Sequence, residues 1–442
     1  MNLPNNLEIL IDKLKEHNIV AYVVGGAVRD YKLGIVPHDY DLASSATPEE
    51  IHSIFDNTDI DVYDTGIKFG TVTIKINEDC YEITTFRKEN NYDGRKPEKV
   101  SFSKSLEEDL SRRDFTINAI AYNPDEGFID PFNGLIAIKA RMLKTVGNAE
   151  ERFSEDYLRV LRAIRFANKY NLDIHADTLT AINRFLPFVA NNVSAERIQQ
   201  ELLKLLETKL NLNLMYRLNP FIILDVNFKM MKGYNQNNPH HDKDLLMHTL
   251  SVVRELQNSG VDINLLIAGL FHDIGKLKTK IEKNGISHYY EHEQVSASMT
   301  KDILTKLRFS KKDISEICDI IKYHELPQTT RKGFQKLLCE TNNEIIEKVF
   351  KLRIADILAQ SNYKIIEKFS MLLDKQKIYI ETRMSESVFS IKDLAVNGHD
   401  LIALGIEGKR IGEILKSLLE KVINKELDNN KESLLSYIKG GC

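Results

Sequence analysis

V-V-G-G-A-V-R-D-Y-K-L-G-I-V-P-H-D-Y-D-L, residues 23–42, leads from an apolar strand through a glycine pair into a helical pattern and ends on two aspartates. Gly25 and Gly26 stand at the turn, where the missing Cβ lets backbone N–H groups come close to a ligand. Those N–H groups and Arg29 suit a phosphate at a helix N-terminus. Asp39 and Asp41 are two apart in a strand pattern and project to one side. Carboxylates that close repel each other unless a cation joins them, and Mg²⁺ takes hard oxygen ligands together with phosphate oxygens. The dinucleotide fingerprint would need a third glycine, which is missing. The stretch therefore points to nucleoside triphosphate chemistry on two metal ions. Glu82, in the neighbouring strand pattern Y-E-I-T-T-F-R, is a candidate third carboxylate.

Two charged groups extend this constellation. In L-E-E-D-L-S-R-R-D-F-T-I-N-A-I-A, residues 106–121, Arg112, Arg113 and Asp114 precede an apolar run. A salt-bridged helix start accounts for them; so do arginines on phosphate and an aspartate on a ribose hydroxyl. In F-S-E-D-Y-L-R-V-L-R-A-I-R-F, residues 153–166, Asp156 and Arg159 are three apart on a predicted helix and share a face. An aspartate accepting from an exocyclic amino group and an arginine donating to a ring nitrogen would take cytosine and adenine alike. Uracil and guanine present the opposite polarity and would leave buried groups unpaired, at roughly 1–3 kcal/mol each. Arg162 and Arg165 continue the same basic stretch and are further nucleotide-binding candidates.

At 442 residues and net charge −4, the chain is long enough for several domains and is not globally basic. Residues 137–169 carry eight Lys and Arg against four acids, which allows a local footprint for RNA. The cysteines are scattered, as expected of a reducing compartment. No signal peptide or membrane span is evident, so a cytoplasmic location is expected. Short β-branched and aromatic runs, Ala21–Val24, Thr71–Ile76 and Tyr81–Phe86, predict strands in the first segment. Thr47-Pro48-Glu49-Glu50 predicts a capped helix start. Everything beyond about residue 139 reads as helical. The expected class is α+β: a small mixed sheet followed by all-helical segments. The expected divisions are 1–138, 139–228, 229–370 and 371–442.

These elements resemble the bacterial CCA-adding tRNA nucleotidyltransferases of the class II nucleotidyltransferase family. The resemblance is carried by G-G-A-V-R-D with D-Y-D, R-R-D-F-T-I-N-A, D-P-F-N-G at 130–134, E-D-Y-L-R-V-L-R-A-I-R-F, and N-V-S-A-E-R-I-Q-Q-E-L at 192–202. It implies a nucleotidyltransferase head with a helical neck, body and tail, and untemplated addition of CMP, CMP and AMP from CTP and ATP to tRNA. It places Mg²⁺ on Asp39 and Asp41, Arg113 and Asp114 near the ribose, and Asp156 and Arg159 at the incoming base. Bacterial poly(A) polymerases and A-adding enzymes share much of this head, and a catalytically silent RNA-binding protein is a third reading. Three segments favour the CCA-adding branch: G-I-K-F-G-T-V-T-I, the tail N-G-H-D-L-I-A-L-G-I-E-G-K-R-I-G, and the polar stretch 87–100, expected to be a flexible loop without stable structure.

A second constellation lies in 229–370: His248, His272-Asp273, His292, His324 and Asp356. Mixed nitrogen and oxygen ligands on apolar helices suit a divalent metal. The residues resemble the HD phosphohydrolases, which implies His248, His272, Asp273 and Asp356 as the minimal set. His292 and His324 would extend the site, and the metal would be Mg²⁺, Mn²⁺, Ni²⁺ or Co²⁺. The implied activities are 2′,3′-cyclic phosphodiesterase, 2′-nucleotidase or phosphatase. Tyr323, where related domains often have another histidine, argues against a full two-metal site.

Overall fold

The computed structural model describes residues 1–56, 58–93 and 96–440, without the side chains of 88–101. It divides into two compact units, Met1–Leu224 and Asp225–Cys442. The first is built on a mixed seven-stranded sheet. Its strands are β1 (Ala21–Val24), β2 (Asp41–Ser44), β3 (Asp61–Gly66), β4 (Thr71–Ile76), β5 (Asp79–Thr85), and, beyond a separate ribbon, β8 (Ala121–Asn123) and β9 (Gly127–Ile129). They lie in the order β3-β4-β5-β2-β1-β8-β9. Only β2 and β5 pair in parallel. The register sets Val24 opposite Asp41 across β1 and β2, and Asp41 opposite Glu82 across β2 and β5. One end of the sheet thus carries both the turn at Gly25 and the acidic strand start.

Local rules explain the entries into these elements. Thr47 and Glu50 close a reciprocal capping box with Pro48 in the first turn of Pro48–Phe55. The opening helix Asn5–Glu16 buries Leu7, Leu10, Ile11 and Leu14, a spacing of three to four residues that puts one face inward. Residues 87–102 differ from expectation. Arg87–Asp93 and Lys96–Phe102 pair antiparallel as the ribbon β6–β7; Gly94 and Arg95, at its turn, lie outside the described residues. Backbone hydrogen bonds suffice to form a ribbon from a polar sequence, which hydrophobic patterning cannot reveal. The first unit also includes the helices Ala149–Glu155, Leu158–Tyr170, Ala176–Phe185, Ala195–Leu206 and Leu212–Leu218.

The second unit is helical, with one hairpin, Lys280–Lys283 against Ile286–Tyr289. The hairpin turns on Asn284 and Gly285, both at positive φ (53° and 76°). That Asn-Gly pair is a two-residue hairpin signal overlooked among its polar neighbours. Five helices, Leu245–Asn258, Ile263–Phe271, His292–Lys306, Lys311–Tyr323 and Asn343–Ala359, bring the histidine-bearing segments together. Residues 388–438 have their own small core, including Val396, Leu401, Leu418 and Leu434. Among the described residues no helix is long and apolar enough to cross a membrane.

Candidate functional site

A cavity of about 440 Å³ in the first unit gathers most of the predicted nucleotide ligands. Its lining includes Gly25, Gly26 and Arg29, the run Arg112, Arg113 and Asp114, and Asp156, Arg159 and Arg162. Gly25 caps Gly26–Lys32 at φ 70°, ψ −120°, a conformation that suits glycine, and a Cβ there would meet Arg113 Nη1 at 2.8 Å. Gly25→Ala should therefore cost about 1–3 kcal/mol of backbone strain and displace Arg113. A lower melting temperature and a KM for nucleotide raised about tenfold are expected; unchanged values would contradict the close approach.

Arg112 and Arg113 are held by an acid that the sequence reading passed over. Asp109, buried one turn earlier, accepts from Arg112 Nε and Nη2 at 3.0 and 2.7 Å and from Arg113 Nη2 at 3.2 Å. Burial works against its charge, but Arg113 and Arg112 hold its carboxyl below the usual range. Its i, i+3 and i, i+4 spacing to the two arginines was the available signal. Asp114 accepts from Phe115 N, Asn118 Nδ2 and Arg162 Nε at 2.8–2.9 Å. Burial would raise this carboxyl; Arg162 and Asn118 hold it low.

Arg29 is buried, paired with Asp30 at 2.8 Å, donating to Asn118 Oδ1 at 2.7 Å, and stacked over Tyr170 and Phe166. Its guanidinium thus ties the helix after the glycine turn to Asn118, and the residue also lines the cavity. Asp156 and Arg159 do not share a helix face as expected. Asp156 is an extended residue closing Ala149–Glu155, and the next helix begins at Leu158. Its carboxylate forms a bidentate pair with Arg197, at 2.6 and 3.1 Å. Arg159 bonds Glu155 and donates to the Arg112 carbonyl at 3.2 Å. The helix break between them overrode the i, i+3 spacing, yet both side chains still line the cavity. Arg197, also in its wall, was missed; it lies inside the N-V-S-A-E-R segment. Arg165 is outside the cavity wall, buried and paired with Glu201 at 2.6 Å.

Asp41 opens β2 at the cavity edge, while Asp39 lies two residues before the strand, also solvent-exposed and outside the cavity wall. Burial pushes the Asp41 carboxyl up, Arg113 opposes that, and Asp39 adds to it. Glu82, exposed, sits directly across the pair from Asp41. Among the described residues these three do not form a converging metal-ligand trio; both such trios lie in the second unit.

There, His248, His272 and Asp273 converge, as do Asp273, His292 and His324, all buried. Asp273 belongs to both groups. Its Oδ2 lies 3.3 Å from His272 Nε2, and its Oδ1 lies 3.2 Å from His292 Nε2. Asp356 Oδ1 is 3.1 Å from His248 Nε2. His272, His292 and His324 each donate Nδ1–H to a carbonyl three residues earlier, at 2.7–2.8 Å, which turns Nε2 toward the centre. His248 Nε2 and His272 Nε2 are buried without a hydrogen-bond partner, and beside them lie the carboxylate oxygens of Asp273 and Asp356, so the donors fit a divalent metal. Burial pushes the His324 imidazole down to about 4, leaving it neutral near pH 7. Tyr323 is not among the ligands of either group. Its hydroxyl bonds Glu340, and His292 and His324 complete the second group without it.

Residues 21–144 match the family of the poly A polymerase head domain, and residues 289–438 match domain 2 of tRNA nucleotidyltransferases. The CCA-adding enzyme of Staphylococcus haemolyticus is 33% identical, covering 98% of this chain and 97% of that protein. That of Ligilactobacillus salivarius is 34% identical over 97% of this chain and 95% of its own length.

The chain belongs to the CCA-adding enzymes.

Like them it catalyses nucleotidyl transfer. The solved CCA-adding enzyme of Bacillus stearothermophilus, in complex with CTP, superposes with a TM-score of 0.69 at 28% identity, covering 99% of this chain and 98% of that one. The mixed sheet followed by helices is thus the architecture of a CCA-adding enzyme.

Proposed function

We propose that the enzyme adds CMP, CMP and AMP in turn to the 3′ end of tRNA, taking CTP and ATP without a nucleic-acid template. The observation carrying this reading is the single cavity that unites Gly25, Gly26, Asp41, Arg112, Arg113, Asp156 and Arg159. The N–H groups at the glycine turn and the two arginines take the triphosphate, and Arg29 positions that turn. Asp114 and Arg162, locked to each other, offer oxygen and nitrogen to the ribose. Asp156, held by Arg197, accepts from the amino group of C or A, and Arg159, held by Glu155, donates to the adjacent ring nitrogen. That the Bacillus stearothermophilus relative was solved in complex with CTP supports CTP as a substrate of this enzyme. Asp39 and Asp41, with Glu82 opposite, are the carboxylates for Mg²⁺, which supplies activation of the attacking hydroxyl and charge neutralisation at the leaving group. In the step itself the tRNA 3′ oxygen bonds the α-phosphorus, the bond to pyrophosphate breaks, and the hydroxyl proton passes to solvent. Residues 1–138 form the catalytic head, 139–228 select the base and meet tRNA, and 371–442 bind tRNA.

Sequencing the products made on tRNA lacking its 3′ end, from CTP alone, ATP alone and both, tests this reading. Two C residues, none, and CCA are the expected results. Repeated A from ATP with CTP ignored would instead identify an A-adding enzyme or poly(A) polymerase.

The second unit carries a second activity in this reading: hydrolysis of a 2′,3′-cyclic phosphate or related phosphate ester within 229–370. Water oxygen bonds phosphorus, one ester P–O bond breaks, and the released sugar oxygen takes a proton. Asp273, shared by two buried ligand groups, is the supporting observation. His248, His272, Asp273 and Asp356, extended by His292 and His324, would hold a divalent metal supplying an activated water.

A further inference from the structure

Next to the histidine–aspartate cluster, a small cavity of about 80 Å³ opens beside the helices Asn343–Ala359 and Ile365–Ser385. Over an apolar floor, three cations, Arg353, Lys368 and Lys375, face one carboxylate, Glu325. Glu325 and Arg353 connect this cavity to the cluster. Glu325 Oε1 lies 3.8 Å from Nε2 of both His292 and His324, and its Oε2 lies 3.2 Å from Arg353 Nη1. The same Arg353 nitrogen is 2.7 Å from Asp356 Oδ2. Arg353 is therefore neutralised by two carboxylates.

Lys368 and Lys375 differ. Among the described residues neither has a carboxylate within ion-pairing distance; Lys368 donates to Gln360 Oε1 at 2.8 Å, and Lys375 to the Leu326 carbonyl. Two half-buried ammonium groups beside a third cation are costly unless an anion joins them. The space is far below the roughly 300–1,000 Å³ that encloses a whole small ligand, so a nucleoside does not fit and a phosphate group does.

We propose that Lys368 and Lys375 seat a second phosphate of the substrate while its scissile phosphate lies at the histidine–aspartate cluster. This rests on the hydrolytic reading of that cluster and specifies the substrate class: a nucleotide or RNA end carrying a phosphate besides the one hydrolysed. A 5′-phosphate and a backbone phosphodiester share this chemistry. Burial pushes both ammonium groups below their ordinary value; at Lys368 the Asp356 charge opposes this and Arg353 adds to it, and at Lys375 Arg353 adds to it while Glu325 opposes it. A bound phosphate would reverse that strain.

The test compares three substrates on the full-length, Mn²⁺-loaded protein: adenosine 2′,3′-cyclic phosphate, its 5′-phosphorylated form, and a dinucleotide ending in a cyclic phosphate. The second and third should be preferred about tenfold in kcat/KM, and the larger preference identifies the natural source of the phosphate. In the double variant Lys368→Met, Lys375→Met, which keeps the apolar stems, the preference should vanish, and arginine at both positions should restore it. A preference equal to that of the unaltered protein would overturn the proposal. If the unaltered protein hydrolysed none of the three, the hydrolytic reading itself would fail. Calorimetric titration with inorganic phosphate then decides the seat: the double variant should bind one phosphate fewer per chain, and equal binding would refute it.

Discussion

Asp41→Ala is expected to abolish nucleotide addition, lowering kcat/KM by at least about 10³-fold, or ~4 kcal/mol of transition-state stabilisation. Among the described residues, Asp41 is the one carboxylate that belongs both to the sheet and to the cavity lining. Its partners across the sheet are Val24, next to the glycine turn, and Glu82. Burial and Asp39 together disfavour its charge more than Arg113 relieves it, which is the condition of a ligand awaiting a cation. Although its carboxyl is partly desolvated among the groups lining the cavity, the residue as a whole stays accessible at the strand start, so its removal leaves no void in the core. Single-turnover extension of tRNA, together with a thermal melt, checks this. Activity within tenfold of the unaltered enzyme, or a melting temperature lowered by many degrees, would contradict the assignment.

Asp273→Asn should remove hydrolysis of a cyclic phosphate by at least about 10²-fold while leaving CCA addition within twofold. The size follows from Asp273 serving both ligand groups, so that one substitution disables two sets of donors. Losing a mere orienting partner of a ligand costs about 10–100-fold, and loss of a shared ligand should cost more. Asparagine keeps the volume but loses the charge that balances Lys276 Nζ, 2.7 Å away. Mn²⁺ binding by calorimetry should fall in parallel. Loss of both activities in a folded variant would show that the two chemistries are not separate, although their residues belong to different units.

Much of the head was legible because its signals are local. The strands Ala21–Val24 and Thr71–Ile76 and the capping box at Thr47 follow from runs of four to six residues. The glycine turn and the two aspartates could be read from one stretch of twenty residues. What escaped depends on partners distant in the chain. Arg197, which holds Asp156, lies 41 residues from it. Nothing in the spacing of Arg29 foretold that Asn118, 89 residues away, would bind its guanidinium. Asp156 escaped for a different reason, since a helix break between it and Leu158 is a backbone choice that apolar periodicity passes over. The second cluster was legible as a set of residues but not as two groups. Only the packing of separate helices reveals that one aspartate faces both ways.

The pairing of Val24 with Asp41 also bears on how this chain tolerates changes in length. Residues 33–38 cross from the helix Gly26–Lys32 toward β2 outside both elements. One residue gained or lost there alters only a connection, at a small entropic cost. One residue gained inside Ala21–Val24 or Asp41–Ser44 would turn the following side chains to the opposite face of the sheet. The glycine turn and the acidic strand start would then no longer meet at one end. Natural insertions and deletions should therefore collect in the connection and spare the two four-residue strands. A deletion scan read out by CCA addition would trace that boundary residue by residue.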